Sequence, residues 1–128
     1  MPARIGIDLV EVEEVREALA AHGERYLRRV FTDAEVDDCR RPDGTVDARR
    51  LAARFAAKEA TGKALRTGDR PLPWTDVEVV RDPHGTPALA LHGTAAVLAA
   101  EQGLEDFAVT MTHARDQAAA VVHARPGP

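Results

Sequence analysis

The 128-residue sequence predicts a single domain of the mixed α+β class. An alternating segment near the N-terminus is typical of a strand, and a long alanine-rich segment in the middle is typical of a helix. Two pairs of short alternating segments follow that helix. Because no strand-helix-strand unit repeats, a doubly wound parallel sheet fits less well. A chain of this length is expected to build one core, so residues 1–128 are assigned to one domain.

The first predicted element is a strand over residues 4–10. Its alternation places large aliphatic side chains on one face and Asp8 on the opposite face. Strong helix formers then predict a helix over residues 11–21, and a second short helix is expected around residues 26–30.

The middle of the chain predicts two further helices. Thr32 followed three residues later by Glu35 has the pattern of a capping box, so a helix is expected to begin there. Residues 41–45 have the composition of a turn. A long helix is predicted over residues 48–66, and the glycine and prolines of residues 68–73 end it.

The last part of the chain predicts four strands and a helix. Residues 77–80 and 88–91 form a hairpin in this interpretation, because proline and glycine between them suit a tight turn. A helix over residues 94–102 precedes two strands, over residues 107–112 and 118–122.

The composition excludes several classes of function. The net charge of -4 argues against nucleic-acid binding, because affinity for phosphate backbones depends on positive charge. No apolar run approaches the roughly 20 residues of a bilayer span. No signal peptide is visible either, so a cytoplasmic location without a membrane partner is expected. The single cysteine, Cys39, is consistent with a reducing compartment.

Lysine is confined to the predicted long helix. The sequence contains fifteen arginines but only two lysines, Lys58 and Lys63. A compact ammonium and a planar guanidinium are not interchangeable at a tight phosphate site, so lysine here indicates a specific need. Phe55, Glu59 and Lys63 are spaced four residues apart, so on a helix they lie in one row. The two charged side chains therefore lie at the edge of the apolar face. The Glu59 and Lys63 pair is either a surface pair worth about 0.2–0.5 kcal/mol or part of a site.

Two residues outside the long helix are further candidates. Asp8 is either the cap of the first helix or, together with Glu59, part of a Mg²⁺ shell, since Mg²⁺ takes one or two carboxylates. His113 ends a predicted strand, where it could donate to a phosphate, assist proton transfer or be structural. HExxH, Walker A and GxGxxG patterns are absent from the sequence.

Five blocks of the sequence resemble the holo-acyl-carrier-protein synthase family of 4′-phosphopantetheinyl transferases, in order and at similar spacing. The blocks are GIDLVEV at residues 6–12, RVFTDAE at 29–35, RFAAKEATGKAL at 54–65, WTDVEV at 74–79 with Gly85-Thr-Pro87, and VTMTH at 109–113. The resemblance implies an antiparallel sheet packed against a long helix. It also implies transfer of phosphopantetheine from coenzyme A to a serine of an apo acyl carrier protein, with release of 3′,5′-ADP.

The resemblance implies roles for individual residues. Asp8 and Glu59 are expected to bind Mg²⁺, and the expected catalytic residues are Glu59, Lys63 and His113. Contacts to coenzyme A are expected from Arg54, Lys58, Lys63, Gly85, Pro87, Thr112 and His113. Arg54 would serve the nucleotide end, and Gly85 and Pro87 would form walls of the adenine pocket. The serine proton could pass to Glu59 or to a water on the metal, and the sequence leaves both open.

The resemblance also implies partners. The family forms homotrimers with active sites between subunits, and its first helix docks the acidic carrier protein. Docking is expected through Arg16, Arg25, Arg28 and Arg29, which would have to compensate for Glu13 and Glu14. Whether the carrier serves fatty-acid or polyketide synthesis stays open. A non-catalytic module that only binds coenzyme A or a carrier protein is the alternative, as is an unrelated acidic interaction domain.

Overall fold

The computed structural model describes residues 2–128, which form α-helices and antiparallel strands as predicted. The strands are β1 (Arg4–Glu11), β2 (Val77–Arg81), β3 (Pro87–Leu91), β4 (Leu104–His113) and β5 (Gln117–Pro126). The helices are α1 (Val12–His22), α2 (Glu24–Val30), α3 (Asp33–Asp38), α4 (Ala48–Ala64) and α5 (Gly93–Glu101), with a 3₁₀ turn at Trp74–Asp76. No helix within residues 2–128 has the length and apolar character needed to cross a bilayer.

The strands form two antiparallel sheets. One has the order β1-β5-β4 with β5 in the centre, and the other is the predicted β2-β3 hairpin. Strands β4 and β5 extend beyond the predicted segments because their ends pair with each other, as Leu104 does with Pro126, across a register shift between Glu105 and Ala108. Alternation alone did not reveal these paired ends.

Helix α4 packs across the three-stranded sheet and forms the centre of the core. Its buried face consists mostly of alanine together with Leu51. Small side chains let the helix approach β1 closely. A Cβ built on Gly6 would lie 1.8 Å from the carbonyl oxygen of Ala60, so this contact requires glycine.

The face of β1 that packs on α4 carries Gly6 and Val10, not the large aliphatic side chains. Ile5, Ile7 and Leu9 point to the other side of the sheet, where they are 65%, 61% and 60% exposed. The predicted alternation is therefore confirmed, and the aliphatic residues form an uncovered outer face in the single chain.

Side-chain caps define two of the helix starts. The capping box predicted for α3 is confirmed, because the Glu35 amide donates to Thr32 Oγ1 (3.2 Å) and the Thr32 amide donates to Glu35 Oε1 (2.9 Å). Asp47 caps α4 by accepting from the amide of Arg49 at 2.9 Å. The interpretation of Asp8 as the cap of α1 is wrong, because β1 continues to Glu11 and α1 begins after it.

Helix α4 ends two residues earlier than predicted because Arg66 adopts a left-handed backbone with φ of 52°. The Arg66 amide donates to the Lys63 carbonyl (3.1 Å), and the Thr67 amide donates to the Gly62 carbonyl (3.2 Å). These are the paired bonds of a Schellman motif, whose left-handed position favours glycine.

The substitution Arg66→Gly is expected to raise the free energy of unfolding by about 0.5–1 kcal/mol, because it removes the strain of a side chain at positive φ. Urea denaturation followed by circular dichroism measures the change. The matched control is Arg49→Gly in the right-handed first turn of α4, which is expected to lower stability by about 1 kcal/mol. A loss of stability in Arg66→Gly would contradict the strain argument.

Candidate active site

Three of the predicted site residues, from two separate elements, meet beside the close contact of β1 and α4. Asp8 faces α4 from β1, and Glu59 and Lys63 lie on successive turns of α4. The Lys63 ammonium donates to Asp8 Oδ1 at 3.1 Å and to the carbonyl of Ile7 at 2.9 Å. Lys63 therefore pairs with Asp8, and among residues 2–128 no Glu59 and Lys63 ion pair forms within 4.0 Å.

The charges in this cluster favour a cation. Partial burial, and then the negative charge of Asp8, raise the pKa of Glu59, while Lys63 opposes the shift. A positive group beside Asp8 and Glu59 would offset the burial and the negative charge that disfavour the ionised form of Glu59. Within the described part of the chain, no three His, Cys, Asp or Glu side chains come together as a complete metal cage. Asp8 and Glu59 are thus a two-carboxylate set, which suits Mg²⁺ with substrate oxygens and waters as the other ligands.

A cleft of about 340 Å³ opens next to Glu59. Lys58, Glu59 and Gly62 of α4 line one side, and the opposite wall consists of Thr67, Arg70, Pro71, Leu72, Pro73, Trp74 and Val77. Trp74 packs on Phe55 with the ring centroids 5.0 Å apart. Sequence reasoning treated residues 68–73 only as the end of the helix and missed this wall. The single tryptophan beside a run of prolines was the available signal.

The position of Lys58 differs from the predicted contact with coenzyme A. Its side chain is fully buried, and the ammonium donates to Glu35 Oε1 at 2.7 Å and to the carbonyls of Trp74 and Val77. Burial lowers the pKa of Lys58, against the opposing effect of Glu35. All three N–H donors have protein acceptors, so the ammonium has no donor left for a ligand, although the residue borders the cleft.

Arg54 lies one turn before Lys58 and carries buried donors without partners. Its side chain is 3% exposed, and within residues 2–128 its Nε and Nη2 atoms make no hydrogen bond. The nearest carboxylate, Asp38, is 3.8 Å from Nη2. Unpaired buried donors are costly, and a guanidinium suits an anionic group such as a phosphate.

The β2-β3 turn lies close to Arg54. Arg81 Nε is 3.9 Å from the same Asp38 carboxylate, and Arg81 Nη1 donates to the Gly85 carbonyl at 2.8 Å. Pro87 pairs with Arg81 at the start of β3. The structure therefore brings Arg54, Gly85 and Pro87 into one region, linked by Asp38 and Arg81. Sequence reasoning did not identify Arg81.

His113 and Thr112 lie away from this cluster. His113 of β4 pairs with Ala118 of β5, which in turn pairs with Val10 of β1. His113 is therefore two strands away from β1, and it lies level with a residue two positions after Asp8. Strand spacings of about 4.8 Å and rises of about 3.3 Å per residue place the backbones of His113 and Asp8 about 12 Å apart. A shallow depression lined by Leu9, Thr112 and His113 opens at this end of the sheet. A single chain therefore does not bring His113 to the carboxylates.

The four predicted docking arginines are all exposed on α1 and α2. Arg16 pairs with Glu13 at 3.5 Å, so one of the two nearby acidic residues is partly offset. Arg25 and Arg29 line a shallow depression together with His22 and Tyr26. In the described part of the chain Arg25 and Arg29 form no ion pair within 4.0 Å, so their charges face outward.

Comparison with known proteins identifies the family. The family model described as the 4′-phosphopantetheinyl transferase superfamily matches residues 4–122. The holo-[acyl-carrier-protein] synthase of Desulforudis audaxviator is 46% identical over 116 residues, covering 91% of this chain and 87% of the relative. Among solved structures, the Chronobacterium ammoniagenes ACPS-CoA complex has a TM-score of 0.82 at 29% identity, with 100% of both chains covered. The Mycobacterium tuberculosis acyl carrier protein synthase has a TM-score of 0.72 at 34% identity, covering 97% of each chain.

The chain therefore belongs to the 4′-phosphopantetheinyl transferase superfamily. Within that superfamily it is similar to the holo-[acyl-carrier-protein] synthases over nearly its whole length, and its enzyme class is phosphopantetheinyl transferase. The family, the fold and the enzyme class predicted from the sequence are confirmed.

Proposed function

We propose that this enzyme transfers 4′-phosphopantetheine from coenzyme A to a serine of an apo acyl carrier protein and releases 3′,5′-ADP. The observation that carries the proposal is the convergence of Asp8, Glu59 and Lys63 beside a cleft. Relatives named for this reaction, and a solved relative in complex with coenzyme A, support it. The serine oxygen attacks the phosphorus that bears the pantetheine arm, and the bond from that phosphorus to the bridging oxygen of 3′,5′-ADP breaks.

Asp8 and Glu59 are the proposed ligands of Mg²⁺, in agreement with the charge balance of the two carboxylates. The bound ion would neutralise the pyrophosphate of coenzyme A. The ammonium of Lys63 lies beside Asp8. From this position Lys63 would reach the phosphates and offset the negative charge that develops on the leaving 3′,5′-ADP. The raised pKa of Glu59 suits a carboxylate that accepts the serine proton.

Coenzyme A is proposed to lie along α4. The unpaired donors of Arg54 would bind a phosphate at the nucleotide end, where Gly85 and Pro87 lie close enough to border the adenine. The cleft beside Glu59 has an apolar stretch of wall at residues 71–74, which suits the pantetheine arm. Arg54 and Glu59 are five residues apart on one helix, so a rise of about 7.5 Å separates their backbones.

Intact-mass measurement of carrier proteins tests the reaction. The enzyme is mixed with Mg²⁺, coenzyme A and a panel of apo carriers, and a carrier that gains the mass of phosphopantetheine is the expected result. Omission of coenzyme A is the control. No mass gain on any carrier would overturn the proposal and leave a binding module as the alternative.

The active site is proposed to be completed between subunits of a homotrimer. The outer face of β1 carries exposed Ile5, Ile7 and Leu9, an apolar strip that a single chain leaves uncovered. Thr112 lies on this face, in register with Leu9 through Ala119, and His113 follows it in the depression that both share with Leu9. His113 is remote from Asp8 of its own chain. A second copy on the outer face would cover the strip and supply His113 and Thr112 to the neighbouring site.

Complementation between inactive variants is expected to show a shared site. Asp8→Ala and His113→Ala should each be nearly inactive. When equal amounts of the two variants are refolded together, about a quarter of wild-type activity should return, because about a quarter of the sites in a heterologous ring combine an intact Asp8 from one chain with an intact His113 from its neighbour. Light scattering after gel filtration should give three chains per particle, and Ile7→Arg should dissociate it. A mixture as inactive as its components, or a monomeric wild type, would contradict the proposal.

Charge reversal on α2 is expected to weaken binding of the carrier protein but not binding of coenzyme A. In Arg25→Glu/Arg29→Glu the KM for the carrier should rise at least about tenfold, because a charge that attracts acidic residues is replaced by one that repels them. The KM for coenzyme A should stay unchanged. The matched control is Arg115→Glu, an exposed arginine in the β4-β5 turn. Equal effects of the two sets of changes would place docking elsewhere.

A further inference from the structure

Lys58 and Glu35 form a buried ion pair whose other hydrogen bonds all go to the backbone. The two side chains are 0% exposed, and their charged atoms are 2.7 Å apart. Glu35 Oε2 accepts from the amide of Val79 at 2.9 Å, and Lys58 donates to the carbonyls of Trp74 and Val77. The pair therefore ties α4 and α3 to the segment of residues 74–79.

The tied segment is one wall of the cleft. Trp74 and Val77 line the cleft opposite α4, and Glu59, the neighbour of Lys58, lines the facing side. The segment that carries Trp74 is thus anchored to the same turn of α4 that carries the proposed metal ligand. A shift of that turn against the wall would change the width of the cleft beside Glu59.

Stability alone does not account for two buried charges. A buried ion pair loses about as much in desolvation as it gains, and an apolar replacement of similar volume is often equally stable. An apolar pair cannot make directional hydrogen bonds. Only the ammonium and the carboxylate hold specific carbonyls and amides at hydrogen-bond distance. The directional hydrogen bonds of the pair therefore fix the position of the segment of residues 74–79.

We propose that Lys58 and Glu35 are positioning residues, which hold the wall at Trp74 and Val77 in register with Glu59 and thereby set the affinity for coenzyme A. This inference rests on the proposed function for its kinetic part. Lys58 acts through the wall, because the three N–H donors of its ammonium are all used by Glu35 and by the carbonyls of Trp74 and Val77.

Single substitutions are expected to weaken coenzyme A binding. In Lys58→Met and Glu35→Gln, kcat/KM for coenzyme A should fall about 10- to 100-fold, mainly through KM, because a displaced wall misplaces the substrate. The KM for the carrier should be unchanged. Trp74 is the only tryptophan, so its fluorescence reports the wall directly, and its emission should shift to longer wavelength.

The double variant Lys58→Met/Glu35→Met separates position from stability. It is expected to melt at or above the temperature of either single variant, yet to keep the raised KM for coenzyme A and the shifted Trp74 emission. The control for lost stability is Val122→Ala, which truncates a buried side chain of the sheet that does not line the cleft. This control should melt lower than wild type with unchanged KM and emission.

Wild-type KM and wild-type emission in the folded double variant would overturn the proposal, and so would the same changes in Val122→Ala. If the wild-type protein transferred nothing, the proposed function would fail. The emission of Trp74 in the variants would still report whether the pair positions the wall.

Discussion

The substitution Glu59→Gln is expected to reduce transfer at saturating coenzyme A and carrier by at least about 10²-fold. It keeps the shape of the side chain but removes the charge that is proposed to bind Mg²⁺ and to accept the serine proton. Asp8→Asn should have an effect of similar size, because it removes the other carboxylate. Rates are measured by the mass gain of the carrier over a range of Mg²⁺ concentrations.

Stability separates this effect from misfolding. The pKa of Glu59 is raised, so the folded state binds its proton more tightly than the unfolded chain does. The stability that the neutral carboxyl contributes is present below the unfolded pKa and is lost as pH rises toward the folded pKa. Glu59→Gln stays neutral, so at pH 7 it should melt no lower than wild type.

The matched control is Glu105→Gln, the same change at an exposed position on β4. It should leave both the rate and its dependence on Mg²⁺ unchanged. Near-normal activity of Glu59→Gln or Asp8→Asn at limiting Mg²⁺ would show that these carboxylates are not the metal ligands.

The substitution Gly6→Ala is expected to lower the free energy of unfolding by at least about 3 kcal/mol. The added methyl group would lie 1.8 Å from the Ala60 carbonyl oxygen, and the obstacle is backbone, which has no alternative rotamer. Relief requires β1 to move away from α4, which would also separate Asp8 from Lys63. Urea denaturation measures the loss, and activity should fall in the molecules that remain folded.

Gly62→Ala is the matched control for Gly6→Ala. Gly62 lies on α4, and the nearest heavy atom to an added Cβ is Thr67 Oγ1 at 3.8 Å. The helix should accept alanine with unchanged stability or a gain of up to about 1 kcal/mol. Equal losses in the two variants would show that the close approach of β1 and α4 is not what requires glycine.

Local patterns predicted the elements whose causes are local. Helix α4 follows from the helix propensity of its alanines, and the start of α3 follows from the side chains of Thr32 and Glu35. The β2-β3 hairpin follows from its turn residues. Strand ends were missed at β4 and β5, because pairing between distant segments sets them.

The site was predictable only in part. Asp8, Glu59 and Lys63 were identified as candidates, and the fold brings them together. The wall at residues 70–74 was not predicted, because an irregular segment has no periodicity that shows which way it faces. The burial of Lys58 was also not predictable from its neighbours, since its partner Glu35 lies 23 residues away and has a complete local role as a helix cap.

The sequence by itself determined the class of fold, the order of its elements, the candidate carboxylates and the family, because each depends on propensity, short spacings or motifs within one segment. Only the tertiary structure decided which face of β1 is buried, which lysine is available to a substrate and that His113 is remote from Asp8 within one chain. These three outcomes depend on contacts between segments far apart in the chain, and an alternating or helical pattern is the same whichever partner covers it.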